Sequence, residues 1–246
     1  MTPGQVCRSL RVLRDRFSDL LEPTARSILD EAIAQVNDSY QLYQKQARAR
    51  RSGSWGYTIS PDKPLQFTRS TIDSINLQPD IFCEVRWAHS DDAPVEQALV
   101  LRVWSLDKFV VFRPNLDAAD VLNQLSAPTR RVMLRYHFDL ANFDQPGPRY
   151  HLQAGGNARD DELCWLHEAV SVPRIAHPPM DLFLACEMVA ANFHGPKGQT
   201  VLRDPTWLGT LRLSQEHFLK KYFENCLRAI ESESSLLENL WNRSWS

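Results

Sequence analysis

Three features of the sequence predict an α+β protein. Helical apolar stripes open the chain, period-two alternation runs through its middle, and apolar helical stretches close it. The expected architecture is an N-terminal helical hairpin over residues 1–52, followed by an α+β domain over 53–246. That domain combines a mainly antiparallel sheet of about five to seven strands with a C-terminal helical layer.

A chain of 246 residues is long enough to bury a substantial core. Hydrophobic residues make up 43% and charged residues 24%, a globular balance that excludes wholesale disorder. The formal net charge of -2 gives no global attraction to nucleic acid or to an anionic membrane, so any polyanion contact must use a local patch. Cys7, Cys83, Cys164, Cys186 and Cys226 stand far apart with no CxxC pair, which points to reduced thiols and a cytoplasmic setting. No apolar run reaches the length of a membrane span. Arginines interrupt the N-terminal segment where a secretory signal would need an apolar core, so no membrane partner is expected.

Residues 4–21 read as a helix because Val6, Leu10, Leu13, Phe17 and Leu20 recur at spacings of four and three. Glu22-Pro23 interrupts it, since the residue before a proline disfavours helical geometry. A second helix over 24–51 carries Leu29, Ile33, Val36, Tyr40 and Tyr43 in the same rhythm. Two such stripes pack on each other as a hairpin, or form a seam for a protein partner or a second copy of the chain. Lys45, Arg48, Arg50 and Arg51 close the second helix before Gly53. Cations there complement the negative end of the helix dipole, with Gly53 as the cap; a nucleic-acid patch is the alternative.

Glycine, serine and proline mark residues 52–64 as a loop or domain junction. Ile81, Cys83, Val85 and Trp87 then alternate with Phe82, Glu84 and Arg86, and Leu99, Leu101 and Val103 alternate with Val100, Arg102 and Trp104. Turns over 89–94 and 105–108 join these runs and a further strand at 109–113 into an antiparallel meander. A short helix is expected at 117–125, capped by Asn115 or Asp117, and short edge pieces at 163–166 and 169–172. His177-Pro178-Pro179 is expected to open a central buried helix over 180–193, ended by His194-Gly195-Pro196. His194 there reads as a structural cation at a helix C-terminus. An amphipathic helix over 212–231 presents Phe218, Leu219, Tyr222, Phe223, Cys226, Leu227 and Ile230, and a last short helix covers 235–241.

One stretch carries chemistry beyond these structural needs. The phrase Arg135-Tyr136-His137-Phe138 returns as Arg149-Tyr150-His151-Leu152, with Pro146-Gly147-Pro148 between the copies. As a hairpin, it sends Val132, Leu134, Tyr136, Phe138, Tyr150 and Leu152 to one face. Arg135, His137, Asp139, Arg149, His151 and Gln153 go to the other. His137 and His151 would serve as acid and base, with Asp139 orienting an imidazole or joining a divalent metal. Arg135 and Arg149 would clamp a phosphate or carboxylate through forked donors, with Gln153 beside them. The plainer account is a sheet face carrying ordinary cross-strand polar pairs.

After Gly155-Gly156, Arg159 is a further anion contact, and Asp160, Asp161 and Glu162 are potential metal ligands; a polar surface turn explains them as well. No GxxxxGK[ST] or GxGxxG occurs, so neither an ATPase P-loop nor a dinucleotide-binding fold is supported; no HExxH or known zinc spacing occurs either, and the cofactor is left unknown. Cys164 with His167 is a weak nucleophile pair, because a strand would set them on opposite faces. Trp165, Trp207, Trp241 and Trp245 lie near turns or the chain end, where they anchor either an interface or a core. Two functions follow. The first is a non-catalytic accessory subunit of an intracellular, bacterial-type complex, with a nucleic-acid association open to it. The second is a small phosphodiesterase or nuclease built on the hairpin.

Overall fold

The computed structural model describes residues 1–89, 94–107, 131–141, 148–155 and 174–232. The strand expected at 109–113, the helices at 117–125 and 235–241, the edge pieces at 163–166 and 169–172, and Arg159 to Glu162, Cys164 and His167 lie outside these residues.

Helix α1 (Pro3–Arg16) starts at a capping box in which Thr2 and Gln5 satisfy each other's backbone N–H groups. It is shorter than the apolar stripe, because the chain turns at Phe17 and lays Leu20 and Leu21 into the core instead. Helix α2 (Ala25–Arg48) returns antiparallel to it: Arg14 reaches Asp30 at 2.6 Å and the Cys7 thiol points at the Ile33 carbonyl. Val6, Leu10, Leu13, Leu29, Ile33 and Val36 pack into one core together with the strands. The packed hairpin is therefore how these two stripes are satisfied, and their apolar seams face inward.

Gly53 does not cap α2. The closure is made at Arg50, whose φ of 55° is left-handed, with Arg50 N–H donating to Ala47 O and Arg51 N–H to Gln46 O. This is the hydrogen-bond pattern of a Schellman ending, which favours glycine; a side chain held there costs about 1–2 kcal/mol.

The segment expected to be a loop, residues 52–64, supplies β1 (Trp55–Ile59), and the short strands β2 (Leu65–Gln66) and β3 (Ser70–Ile72) follow it. All three pair antiparallel with β4 (Ile75–Trp87), a 13-residue strand that also pairs with β5 (Glu96–Ser105) along its length. The rest of the sheet follows in order as β6 (Arg131–Leu140), β7 (Tyr150–Ala154) and β8 (Ile175–Ala176). Among the described residues the sheet has eight strands, more than expected because β1 to β3 are short and sit among turn-forming residues. Ile81, Cys83, Val85, Trp87, Leu99, Leu101 and Phe138 face the helices and join their core. Trp55 and Trp87 stack at 4.6 Å and 14°, and Tyr40 of α2 meets Trp55 edge-on at 5.8 Å.

Helix α3 (Leu182–Phe193) begins later than expected. Pro178 and Pro179 lie in an extended lead-in, and Asp181 is the cap, accepting from Leu184 N–H at 2.9 Å. Asp181 is buried beside Tyr57, Cys83 and Cys186 and also accepts from the Ser214 hydroxyl. Burial pushes its carboxyl up to about 6. His194 ends α3 as expected but not as a cation, since burial and then Lys197 depress its pKa.

Gly195 does not stop the chain. It takes φ 47° and opens α4 (Gly195–Leu202). Helix α5 (Pro205–Ser214) follows, capped by Asp204, whose carboxylate accepts from Thr206 and Trp207 N–H. A π segment (Gln215–Lys220) links it to α6 (Lys221–Glu231), so the helical run starts seven residues before the expected 212. No described helix is long and apolar enough to cross a membrane.

The close approach of β1 to β4 sets a test. A Cβ at Gly56 would stand 2.0 Å from the Val85 carbonyl oxygen, whereas one at Gly209 within α5 meets nothing within 4 Å. Gly56→Ala is expected to destabilise by about 2 kcal/mol or more in urea titrations. Gly209→Ala should stabilise by about 1 kcal/mol.

Candidate functional site

Strand pairing turns the polar residues into transverse rows across the sheet. The first row is Asp80, Arg102 and Arg135; the second is Phe82, Val100, His137 and Gln153; the third is Glu84, Ala98, Asp139, His151 and Ala176. Arg135, His137, Asp139, His151 and Gln153 thus share the face opposite the helices. A bulge between Val103 and Trp104 breaks the expected alternation at the start of β6. It places Val132 opposite Trp104, on the polar face, while Leu134 stays opposite Val103 on the core face.

The first row is the most fully buried. Asp80 accepts from Arg102 Nε at 2.7 Å and from Arg102 Nη2 at 3.0 Å, and the Trp104 indole N–H donates to it at 2.7 Å. The Arg102 guanidinium lies between the Phe82 and Trp104 rings, 4.9 and 5.0 Å from their centroids. A carboxylate and a guanidinium removed from water in this way hold together only because both are paired and hydrogen-bonded. Sequence reasoning missed this group. The single signal was a carboxylate and a guanidinium at off-core positions of two strong strands, and their register could not be read.

Arg135 is buried beside Arg102, and its Nε–H donates to His137 Nε2 at 2.8 Å. That contact leaves the neutral His137 ring protonated on Nδ1. Burial, then Arg135, then His151 depress the His137 pKa to about 4. The His151 ring is buried, and its Nδ1 lies 3.2 Å from Pro148 O, so Nδ1–H donates and Nε2 carries the lone pair. Burial and Arg174 lower the His151 pKa. Asp139, opposite His151, is pushed up to about 6 by burial, with Arg174 opposing. Arg149 stands just before β7 and hydrogen-bonds its neighbour Tyr150.

The structure therefore brings His137, Asp139, His151, Gln153 and Arg135 together and adds Arg174, which was not foreseen. The two arginines proposed as a clamp start from separate places along the strands: Arg135 donates to His137, whereas the Arg149 carbonyl accepts from Ala141 N–H, six residues further along the chain from Arg135. The crevice beside Asp139 and His151, walled by Gln97, Tyr150, Pro179 and Met180, has no room for a water molecule. Among the described residues no three of His, Cys, Asp or Glu converge as metal ligands. Chemically, the face holds two neutral imidazoles and an Asp80–Arg102 ion pair. The chain matches no family model, and comparison with curated proteins and with solved structures finds no match.

Two measurements follow. Asp80→Ala strands the Arg102 charge and should cost about 3–5 kcal/mol. The double variant Asp80→Leu with Arg102→Met should cost far less, and a denaturant double-mutant cycle separates the two. For His137, the folded pKa near 4 lies below the ordinary 6.5. The folded chain then binds less proton than the unfolded one between pH 6.5 and 4. Its stabilising contribution is complete above pH 6.5 and is lost as pH falls toward 4. His137→Gln, which keeps an acceptor for Arg135, should flatten the fall of the urea midpoint between pH 7 and 5.

Proposed function

We propose that the chain is a non-catalytic accessory subunit that binds a protein partner within an intracellular, bacterial-type complex, one that handles nucleic acid. The observation that carries this reading is an apolar stripe on α6. Phe223, Leu227 and Ile230 are 53, 56 and 60% exposed at spacings of four and three. Large apolar side chains in one exposed row are the usual anchors of a helix that docks on another protein. Lys220, Glu224, Arg228 and Glu231 border the row with charge, as a polar rim borders an interface core. The inward-facing seams of α1 and α2 support placing the contact on α6 instead.

The reading is tested with Phe223→Ser, Leu227→Gln and Ile230→Gln combined. These side chains are exposed, so circular dichroism and the thermal midpoint should match the parent. The parent is expected to capture a partner or to run larger than a monomer in light scattering, and the triple variant to lose that behaviour. A monomeric parent whose captured proteins are the same with and without the stripe defeats the proposal. Cleavage of labelled RNA or DNA by the parent, abolished by His137→Ala and His151→Ala, would replace it with the phosphodiesterase reading.

A further inference from the structure

The distal end of α2 packs only lightly on the rest of the molecule. Val36 is the last buried residue of the helix, and beyond it only Ser39, Tyr40, Tyr43 and Gln46 are even half-buried. Tyr40 and Tyr43 stack at 5.8 Å, Tyr40 rests on Trp55, and the Tyr43 hydroxyl lies 3.4 Å from His89 Nδ1. These contacts fasten the base of the projecting end to the sheet. At its tip Lys45, Arg48, Arg50 and Arg51 are all exposed, and none forms an ion pair among the described residues.

The helix dipole accounts for Lys45 and Arg48, which lie in the last turn. It does not account for an arginine at position 50, where the left-handed backbone favours glycine. A glycine is present three residues later, and it fits closely against Gln46: a Cβ at Gly53 would meet the Gln46 side-chain oxygen at 2.1 Å. The turn that ends the helix is thus made at Arg50 and leaves Arg50 and Arg51 exposed at its end. Strain retained for a charged side chain in a cluster of exposed cations points to an anionic ligand. Residues 45–51 extend about 9 Å at helical rise, enough for about three successive phosphates of a nucleic-acid strand.

We infer that Lys45, Arg48, Arg50 and Arg51 form a docking site for the phosphate backbone of nucleic acid, without sequence preference. The site names the contact through which the proposed subunit would reach nucleic acid, and it is independent of the α6 stripe.

Fluorescence anisotropy of the full chain with labelled 20-nucleotide single-stranded and duplex DNA tests it. Binding is expected in the micromolar range at 50 mM salt, with about a fortyfold loss at 200 mM, as about three neutralised phosphates require. Changing the four residues to Gln, Gln, Gly and Gln should weaken binding at least tenfold. A charge-matched control, Arg8→Gln, Arg11→Gln, Arg26→Gln and Arg203→Gln, should bind like the parent. Arg50→Gly alone should raise the thermal midpoint yet weaken binding about threefold, an outcome that misfolding cannot imitate. The inference is overturned by no binding at 50 mM salt, by equal losses in the tip and control variants, or by unchanged affinity in Arg50→Gly. Tip-dependent binding to phosphatidylserine vesicles without binding to DNA also overturns it. The α6 triple variant should bind DNA normally, so failure of the stripe and failure of this site are read separately.

Discussion

An ion pair with little access to water holds the middle of the sheet. Asp80 and Arg102 stand opposite each other on the two longest-paired strands, β4 and β5. Removing either charge from solvent is unfavourable by several kcal/mol, and their attraction recovers this only with good geometry and further hydrogen bonds. The structure meets that condition with two Arg102 N–H donors, the Trp104 indole and two flanking rings. The pairing also fixes register. A one-residue slip of β5 would turn Arg102 into the helical core and bring Leu101 or Val103 opposite Asp80. Everything carried by β6 and β7 inherits that register.

How much of this was legible in the sequence follows from which rules are local. The alternation around Ile81 to Trp87 and Leu99 to Val103 and the spacing in the two N-terminal helices are local patterns, and the structure contains those elements. The duplicated phrase did become paired strands, with His137 opposite Gln153 and Asp139 opposite His151. What failed was non-local or too short to show a period. Strand β1, with Gly56 among bulky residues, exists because β4 offers it an edge. The bulge that moves Val132 is set by how β5 and β6 meet. Burial of the polar face was equally out of reach: alternation separates two faces but does not say that either one meets water. The cap at Arg50 was missed because glycine is the better residue there and one was available nearby.

On the helical side, a single carboxylate joins two helices to the sheet. Asp181 caps α3, accepts from Ser214 at the end of α5, and lies by Tyr57 and Cys83 of the sheet. With the seams of α1 and α2 turned inward and α3 buried, the surfaces free of packing duties are few. Two stand out among the described residues, an apolar row on α6 and a cationic tip on α2. They differ in chemistry and belong to separate elements.

The stacked pair of Trp55 and Trp87 has an optical meaning. Two indoles almost parallel at 4.6 Å and sealed from water absorb and emit as a coupled unit. One comes from the first strand after the helical hairpin and the other from the far end of β4, and Tyr40 of α2 touches the stack. The chain's intrinsic ultraviolet signal therefore contains a component that exists only when β1 is paired with β4, with Tyr40 of α2 packed against it. The protein carries its own label-free gauge of that pairing.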